Sequence, residues 1–326
     1  MTEPKERSRE YTAAETVLTE VKKVVKGKDA CVQKAFAAIL AGGHILIEDV
    51  PGVGKTTLAT AFSKVMSLVD HRVQFTPDVL PADILGFSMY DKKTGTFSYH
   101  PGAVMCNLFL ADEINRTSPK TQSALLEVME EGKVTVDGVS HPVPSPFFVI
   151  ATQNPKGSAG TQLLPESQLD RFMICMSMGY PDIESEIEIV KGKGGRCDTD
   201  SIAPVLNEAG VKYLQQTVDS VFVSDEIYRY MGALIGATRE NSYIELGISP
   251  RGTIALAKMT KAQAFLSGRM YAIPEDVEDV FFDVTRHRIL LNTKARVTHV
   301  SPEAVLEKIR KDTVKPTAFR EKGKRR

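Results

Sequence analysis

Five short strand-like runs punctuate the first half of the chain, at 44–48, 72–75, 108–111, 147–151 and 173–176. Between them the apolar residues recur at helical spacing. Runs such as Leu108-Phe109-Leu110-Ala111 and Phe147-Phe148-Val149-Ile150-Ala151 have no polar face. A strand with no polar face is buried on both sides, so these runs predict a parallel sheet covered by helices on both faces.

The helices read from spacing and punctuation. From about Glu15 to Ala41 the positions Val17, Val21, Val24, Val25, Val32, Phe36, Ile39 and Leu40 follow the helical period, and Gly27 divides them into two helices. A third helix is expected over 57–67. After Ser118, a capping serine, a proline in the first turn and Gly132 at the end mark another. The turns Lys93-Thr94-Gly95 and Asp137-Gly138 mark hairpins over 88–101 and 133–143. Near Pro181 the character changes. Beyond the flexible patch Gly192-Lys193-Gly194-Gly195, helices are expected at about 203–217, 224–240, 250–267, 275–290 and 302–311. The first dozen residues and the basic stretch 320–326 read as solvated tails.

Composition closes off several function classes. Forty-one basic residues balance 41 acidic ones, so the chain is no polycationic nucleic-acid binder. No apolar run approaches the roughly 20 residues that span a bilayer. The N-terminus has no secretory core, and the four cysteines (Cys31, Cys106, Cys175, Cys197) have no CxxC spacing. Reduced thiols and a cytoplasmic location are expected. The six histidines show no metal-ligand spacing and read as structural or exposed.

The chemistry concentrates at strand ends. Glu48-Asp49-Val50-Pro51-Gly52-Val53-Gly54-Lys55-Thr56-Thr57 follows a strand and opens a helix, the setting of a phosphate-binding loop. Gly52 and Gly54 let backbone N–H groups turn inward, the helix N-terminus adds positive potential, Lys55 reaches the β- and γ-phosphates, and the Thr56 hydroxyl holds Mg²⁺. The strict pattern has Gly where this chain has Asp49; read in isolation, the segment also fits a Gly-Pro turn that binds nothing. Asp112 and Glu113 close a buried strand, as the metal-holding and water-orienting acids of a P-loop enzyme do. Asn154, closing another, can sit beside an attacking water or simply turn the chain. Arg171 is a lone cation before the fifth strand. Arg251 stands on the first turn of a helix, where it opposes the helix dipole.

Together these segments resemble the AAA+ ATPases, and within them the MoxR family, from about Val17 to Leu291. The likeness rests on LIEDVPGVGKTTLA, NLFLADEINRTSPKTQSALLEVMEEGKVTVDG, ATQNP and LPESQLDRFMICMSMGYP. It implies a P-loop αβα core with a five-stranded parallel sheet over 15–183, carrying two hairpin insertions. A tail at 1–14 precedes it, and an all-α lid at 184–315 and a basic tail at 316–326 follow. It implies ATP and Mg²⁺ as cofactors. Pro51 to Thr57 become the Walker A loop, Asp112 and Glu113 the Walker B pair, and Asn154 sensor 1. Arg171 becomes an arginine finger supplied to a neighbouring subunit, and Arg251 the sensor 2 arginine of the lid, engaging the γ-phosphate at a seam between domains and subunits. Val25-Lys26-Gly27-Lys28 becomes the adenine-side loop, and Arg116 a position near the subunit interface. Gly252 stands where the family usually has Ala, which implies a less firm start to the lid helix. The family also implies a ring, often hexameric, and a client or adaptor protein, commonly one with a von Willebrand factor A domain.

Three rivals remain at this level: a nucleic-acid motor on the same fold, a metal-chelatase motor subunit, and a nucleotide-binding scaffold that does not hydrolyse. Neither hairpin carries a basic track, which disfavours the first. Glu113 argues against the last.

Overall fold

The computed structural model describes residues 8–49, 52–93, 95–154, 164–180, 183–191 and 199–316. Helices α1 (Arg9–Val24) and α2 (Asp29–Leu40) precede β1 (Ile45–Glu48) and α3 (Lys55–Val65). Next come β2 (Asp70–Gln74), α4 (Pro81–Leu85), the hairpin β3 (Gly86–Asp91) and β4 (Thr96–Pro101), then β5 (Leu108–Asp112) and α5 (Pro119–Glu131). A second hairpin, β6 (Lys133–Val136) and β7 (Val139–Pro142), leads to β8 (Phe148–Gln153), α6 (Glu166–Leu169) and β9 (Ile174–Met176). Then follow α7 (Ile183–Lys191), α8 (Glu208–Asp219), α9 (Asp225–Glu240), β10 (Ile244–Leu246), α10 (Pro250–Leu266), α11 (Pro274–Thr285), β11 (Leu290–Leu291), α12 (Thr293–Val297) and α13 (Pro302–Asp312).

The sheet is five-stranded in the order β2-β5-β8-β1-β9, every pairing parallel. Its apolar runs divide between two cores with the period of two that a pleated strand requires. Ile45, Ile47, Leu108, Leu110, Phe148, Ile150, Ile174 and Met176 face one core, with α1, α2 and α3. Leu46, Phe109, Ala111, Val149, Ala151 and Cys175 face the other, against α5. The first core continues without a break into the lid, through Val211, Leu214, Leu256, Met259 and Phe281. Within it Phe36 stacks on Phe62 at 5.9 Å, joining α2 to α3. Burying such side chains contributes about 1.5–3 kcal/mol each, enough to hold lid and core together. Among the described residues no helix is long and apolar enough to cross a membrane.

Several boundaries differ from those the sequence implied, each for a local reason. Helix α1 begins at Arg9, inside the expected tail at 1–14, because the Ser8 side chain accepts the Tyr11 N–H and Ala14 is buried. Helix α8 begins at Glu208 rather than about 203, where Asn207 caps it by accepting the Gly210 N–H. Helix α11 ends at Thr285, not 290, because the following residues turn to grip β9. Arg288 is buried there and donates to the carbonyls of Val284, Phe172 and Met173. The expected basic tail at 316–326 lies outside the described residues apart from Pro316.

Candidate functional site

At the C-terminal end of β1 the chain passes through Asp49 and enters α3 at Lys55. Gly52 (φ +88°) and Gly54 (φ +94°) take the left-handed backbone that a loop curling around a phosphate needs and that L side chains resist. Gly54 is also the N-cap of α3. Lys55 is buried, and its Nζ donates to the Asp49 carbonyl at 3.0 Å. Burial pulls its pKa down, while Asp112, Asp49 and Glu113 oppose that shift. Thr56 and Thr57 follow it on the first turn of α3, and Val53 is buried beneath the loop. Pro51 lies outside the described residues.

Asp49, the departure from the strict pattern, has a structural task. Its Oδ2 accepts the N–H groups of Met178 and Gly179, both at 2.7 Å, and the Ser177 hydroxyl at 3.1 Å. It thus ties the loop to the segment that leaves β9. That segment also accepts Lys28 Nζ at the Tyr180 carbonyl. Val25 and Gly27 (φ +66°) lie on the same α1–α2 connection as Lys28. The α1–α2 connection and the end of β1 at Asp49 are in this way both tied to 177–180.

Strands β5 and β8 end beside this loop. Asp112 Oδ1 accepts the Thr152 hydroxyl at 2.6 Å, and its Oδ2 pairs with Arg72 of β2 at 2.7 Å. Thr152 Oγ1 also accepts the Glu113 N–H at 2.8 Å, so one hydroxyl aligns both acids. Glu113 has left-handed backbone (φ 56°), strained for a side chain of its size, a feature that gathers at active sites. Its carboxylate is held by Arg116 at 2.9 Å. Asn154 exchanges backbone–side-chain hydrogen bonds with Asn115, while its own Oδ1 is shielded from solvent and has no hydrogen-bond partner. That orphaned acceptor, beside buried Lys55 and the paired acids, fits a site that receives a triphosphate, a cation and a water. Thr56 and Asp112 are the residues that could hold the cation.

Arg171 and Arg251 are not in this group. Both lie at the opposite end of the sheet, in a cleft of about 250 Å³ shared with Gly42, Gly43 and His44, the residues that enter β1. From His44 to Asp49 the extended chain covers roughly 16 Å. Arg171 Nε donates to Glu130 Oε2 at 2.9 Å, and Arg251 pairs with the other oxygen of the same carboxylate. Within one chain Arg251 therefore stands apart from the phosphate-binding loop, because the start of α10 is pinned at the far end. The Ser249 side chain caps α10 through the Gly252 N–H and donates to Asp170 at 2.7 Å, and Arg288 Nε reaches the other Asp170 oxygen at 2.8 Å. Gly252 forgoes helix propensity, but the packing around it requires glycine. A Cβ there would lie 2.5 Å from Ile248 Cγ2 and 2.8 Å from Arg288 Cδ, so glycine is what lets Arg288 pass.

His44 is structural. Its Nδ1 accepts the Val149 N–H at 3.0 Å, so the proton sits on Nε2 and is donated to the Met129 carbonyl, also at 3.0 Å. Burial pushes its pKa down to about 4. Sequence reasoning assigned no role to Arg72, Thr152, Glu130, Asp170 or Arg288, which align the named residues. Of these, Thr152 carried a usable signal, standing two residues before Asn154 and so on the same strand face.

The comparisons agree with this architecture. Residues 44–174 match the model of the ATPase family associated with various cellular activities (AAA), and 236–309 match the AAA lid domain. The uncharacterised protein YeaC of Bacillus subtilis is 44% identical over 289 residues, covering 89% of this chain and 90% of that protein. Chaperone MoxR1 of Mycobacterium tuberculosis is 38% identical over 309 residues, covering 92% of this chain and 81% of its own length. A crystal structure from Cytophaga hutchinsonii, of a protein described as a candidate ATPase, superposes with a TM-score of 0.86 at 37% identity, over 94% of this chain and 96% of that one. On both family models and on relatives matched over nearly their full length, the chain belongs to the MoxR family of AAA+ ATPases.

Proposed function

We propose that this chain hydrolyses ATP with Mg²⁺ in a site completed by a neighbouring copy, and that the resulting motion remodels a partner protein. One observation carries the reading: the residues proposed for the two halves of the site lie at opposite ends of one sheet. Lys55, Asp112, Glu113 and Asn154 stand at the C-terminal ends of the strands, and Arg171 with Arg251 at the N-terminal ends. A head-to-tail ring brings one copy's arginines to the next copy's loop. Six copies is the count the family resemblance implies.

In this reading Lys55 and the α3 N-terminus hold the β- and γ-phosphates. Thr56 and Asp112 hold the cation, which supplies charge neutralisation when bound. Arg72 is then the cation that Asp112 exchanges for it. Glu113, once Arg116 releases it, takes a proton from the attacking water, and Asn154 Oδ1 accepts that water's other hydrogen bond. The partner copy's arginines oppose the charge that grows on the transferred phosphoryl group, an effect worth about 10³–10⁵ in rate.

A protein client is favoured over nucleic acid by the β3–β4 hairpin. It presents Phe87, Met89, Tyr90 and Phe97, the last 74% exposed, and not a basic track. The Tyr99 ring stacks on His141 at 3.8 Å, so the two hairpins form one projection. The relative named as a chaperone is consistent with this.

The test is to mix two inactive variants, Lys55→Ala and Arg171→Ala. A shared site regains ATPase activity on mixing, because the first supplies arginines and the second supplies a nucleotide site. Mixtures as inactive as the separate variants would overturn the shared-site reading.

A further inference from the structure

Glu130, the second-to-last residue of α5, lies inside the long matching string 107–138 but has no role assigned above. Its carboxylate is nevertheless the only group that contacts both Arg171 and Arg251 among the described hydrogen bonds. These arginines come from different parts of the fold, one from the segment before β9 and one from the first turn of α10. Around them the cleft gathers four cations, Arg171, Arg251, Lys258 and Arg288, against two acids, Glu130 and Asp170. Asp170 is fully taken by Ser249 and Arg288. Glu130 alone is left to offset the repulsion between Arg171 and Arg251. The two guanidinium groups in turn hold its carboxyl below the usual range.

The mode of contact matters. Glu130 takes Arg171 at Nε and leaves both terminal nitrogens of that guanidinium without a described partner. An arginine that is to meet a phosphate needs those two nitrogens, in their parallel fork.

We propose that Glu130 is a positioning residue of the shared catalytic site. It sets Arg171 and Arg251 as a pair, with the terminal nitrogens of Arg171 open to the triphosphate held by the neighbouring copy. The inference rests on the shared-site reading above. It makes Glu130 act in the chain that donates arginines and be idle in the chain that holds nucleotide.

The mixing assay separates the two roles. The Lys55→Ala plus Arg171→Ala mixture sets the reference. With Glu130→Ala added to the Lys55→Ala chain, which donates the arginines, the regained rate falls at least tenfold. The fall is in kcat, with the KM for ATP within about twofold. With Glu130→Ala added instead to the Arg171→Ala chain, whose own arginine half-site is already disabled, the regained rate stays within twofold of the reference. Glu130→Gln in the donor chain keeps one acceptor without the charge and gives an intermediate rate. Equal losses in both placements would make Glu130 a merely structural link, and no loss in the donor placement would make it irrelevant; either overturns the proposal. The second placement also reports whether the Glu130→Ala chain folds and assembles. If the reference mixture itself regains nothing, the shared-site reading fails first and the proposal falls with it.

Discussion

Restoring the missing glycine of the phosphate-binding pattern, by Asp49→Gly, should damage this protein. Asp49 is 7% exposed, and one of its oxygens takes two backbone N–H groups at 2.7 Å and a hydroxyl at 3.1 Å. Hydrogen bonds to a charged acceptor are worth about 1.5–3 kcal/mol each, and a buried donor left without a partner costs about 1–3 kcal/mol. Met178 is buried, so its N–H bears that cost in full, whereas water can reach the half-buried Gly179. Glycine also frees the unfolded chain, by about 0.5–1 kcal/mol. The Met178 bond, its stranded N–H and the glycine effect together make a loss of about 3–7 kcal/mol from a native reserve of about 5–15 kcal/mol. In a thermal melt that is a fall of about 6 °C or more. The end of β1 also loses its tie to 177–180, and the affinity for a fluorescent ATP analogue should drop about tenfold, which is a loss of about 1.4 kcal/mol. Asp49→Asn, which keeps an uncharged acceptor, should lie between. Thermal melts and nucleotide titrations of the three proteins decide it. An Asp49→Gly protein that melts at or above the parent and binds nucleotide equally well would refute the assignment of Asp49 as a staple.

Gly252→Ala, although it installs the residue that the family resemblance implies, should lower stability by about 1 kcal/mol. The helix gains about 1 kcal/mol and the clash with Ile248 and Arg288 costs about 1–3 kcal/mol; a higher urea midpoint would contradict this. His44, with a folded pKa of about 4 against an ordinary value of about 6.5, binds fewer protons folded than unfolded. Its contribution is therefore complete above about pH 6.5 and declines as pH falls toward 4. At pH 5 the loss is about 2 kcal/mol, and urea titrations should find that part of the pH dependence gone in His44→Gln. His287 shifts in the same direction. Glu113→Gln should bind ATP as the parent does while turnover falls by about 10²–10⁴; near-normal turnover would remove Glu113 from its role.

Much of the core was legible in sequence because a parallel sheet buried on both faces leaves an unmistakable trace. Runs such as Phe148 to Ala151 have no polar face, and glycine, lysine and threonine at a strand-to-helix turn have few alternative uses. What was not legible depended on contacts between distant parts of the chain. Arg251 reads as a residue of the lid's first turn, but its place at the far end of the sheet is set by Asp170, Ser249 and Glu130, from three separate elements. The early stop of α11 follows from Arg288, a buried cation that helical periodicity takes for a surface residue. Asp49 looked like a weakened motif because its partners lie about 130 residues away, on the exit from β9.

The central claim is that one chain holds only half of each catalytic site, and the most direct test is the ATPase rate per chain as a function of protein concentration, with no partner added. A shared site predicts a rate per chain that rises steeply as copies assemble, by about 10³-fold or more once the neighbouring arginines engage, and then levels off. A rate per chain that stays measurable and constant down to concentrations at which the protein is monomeric would contradict it.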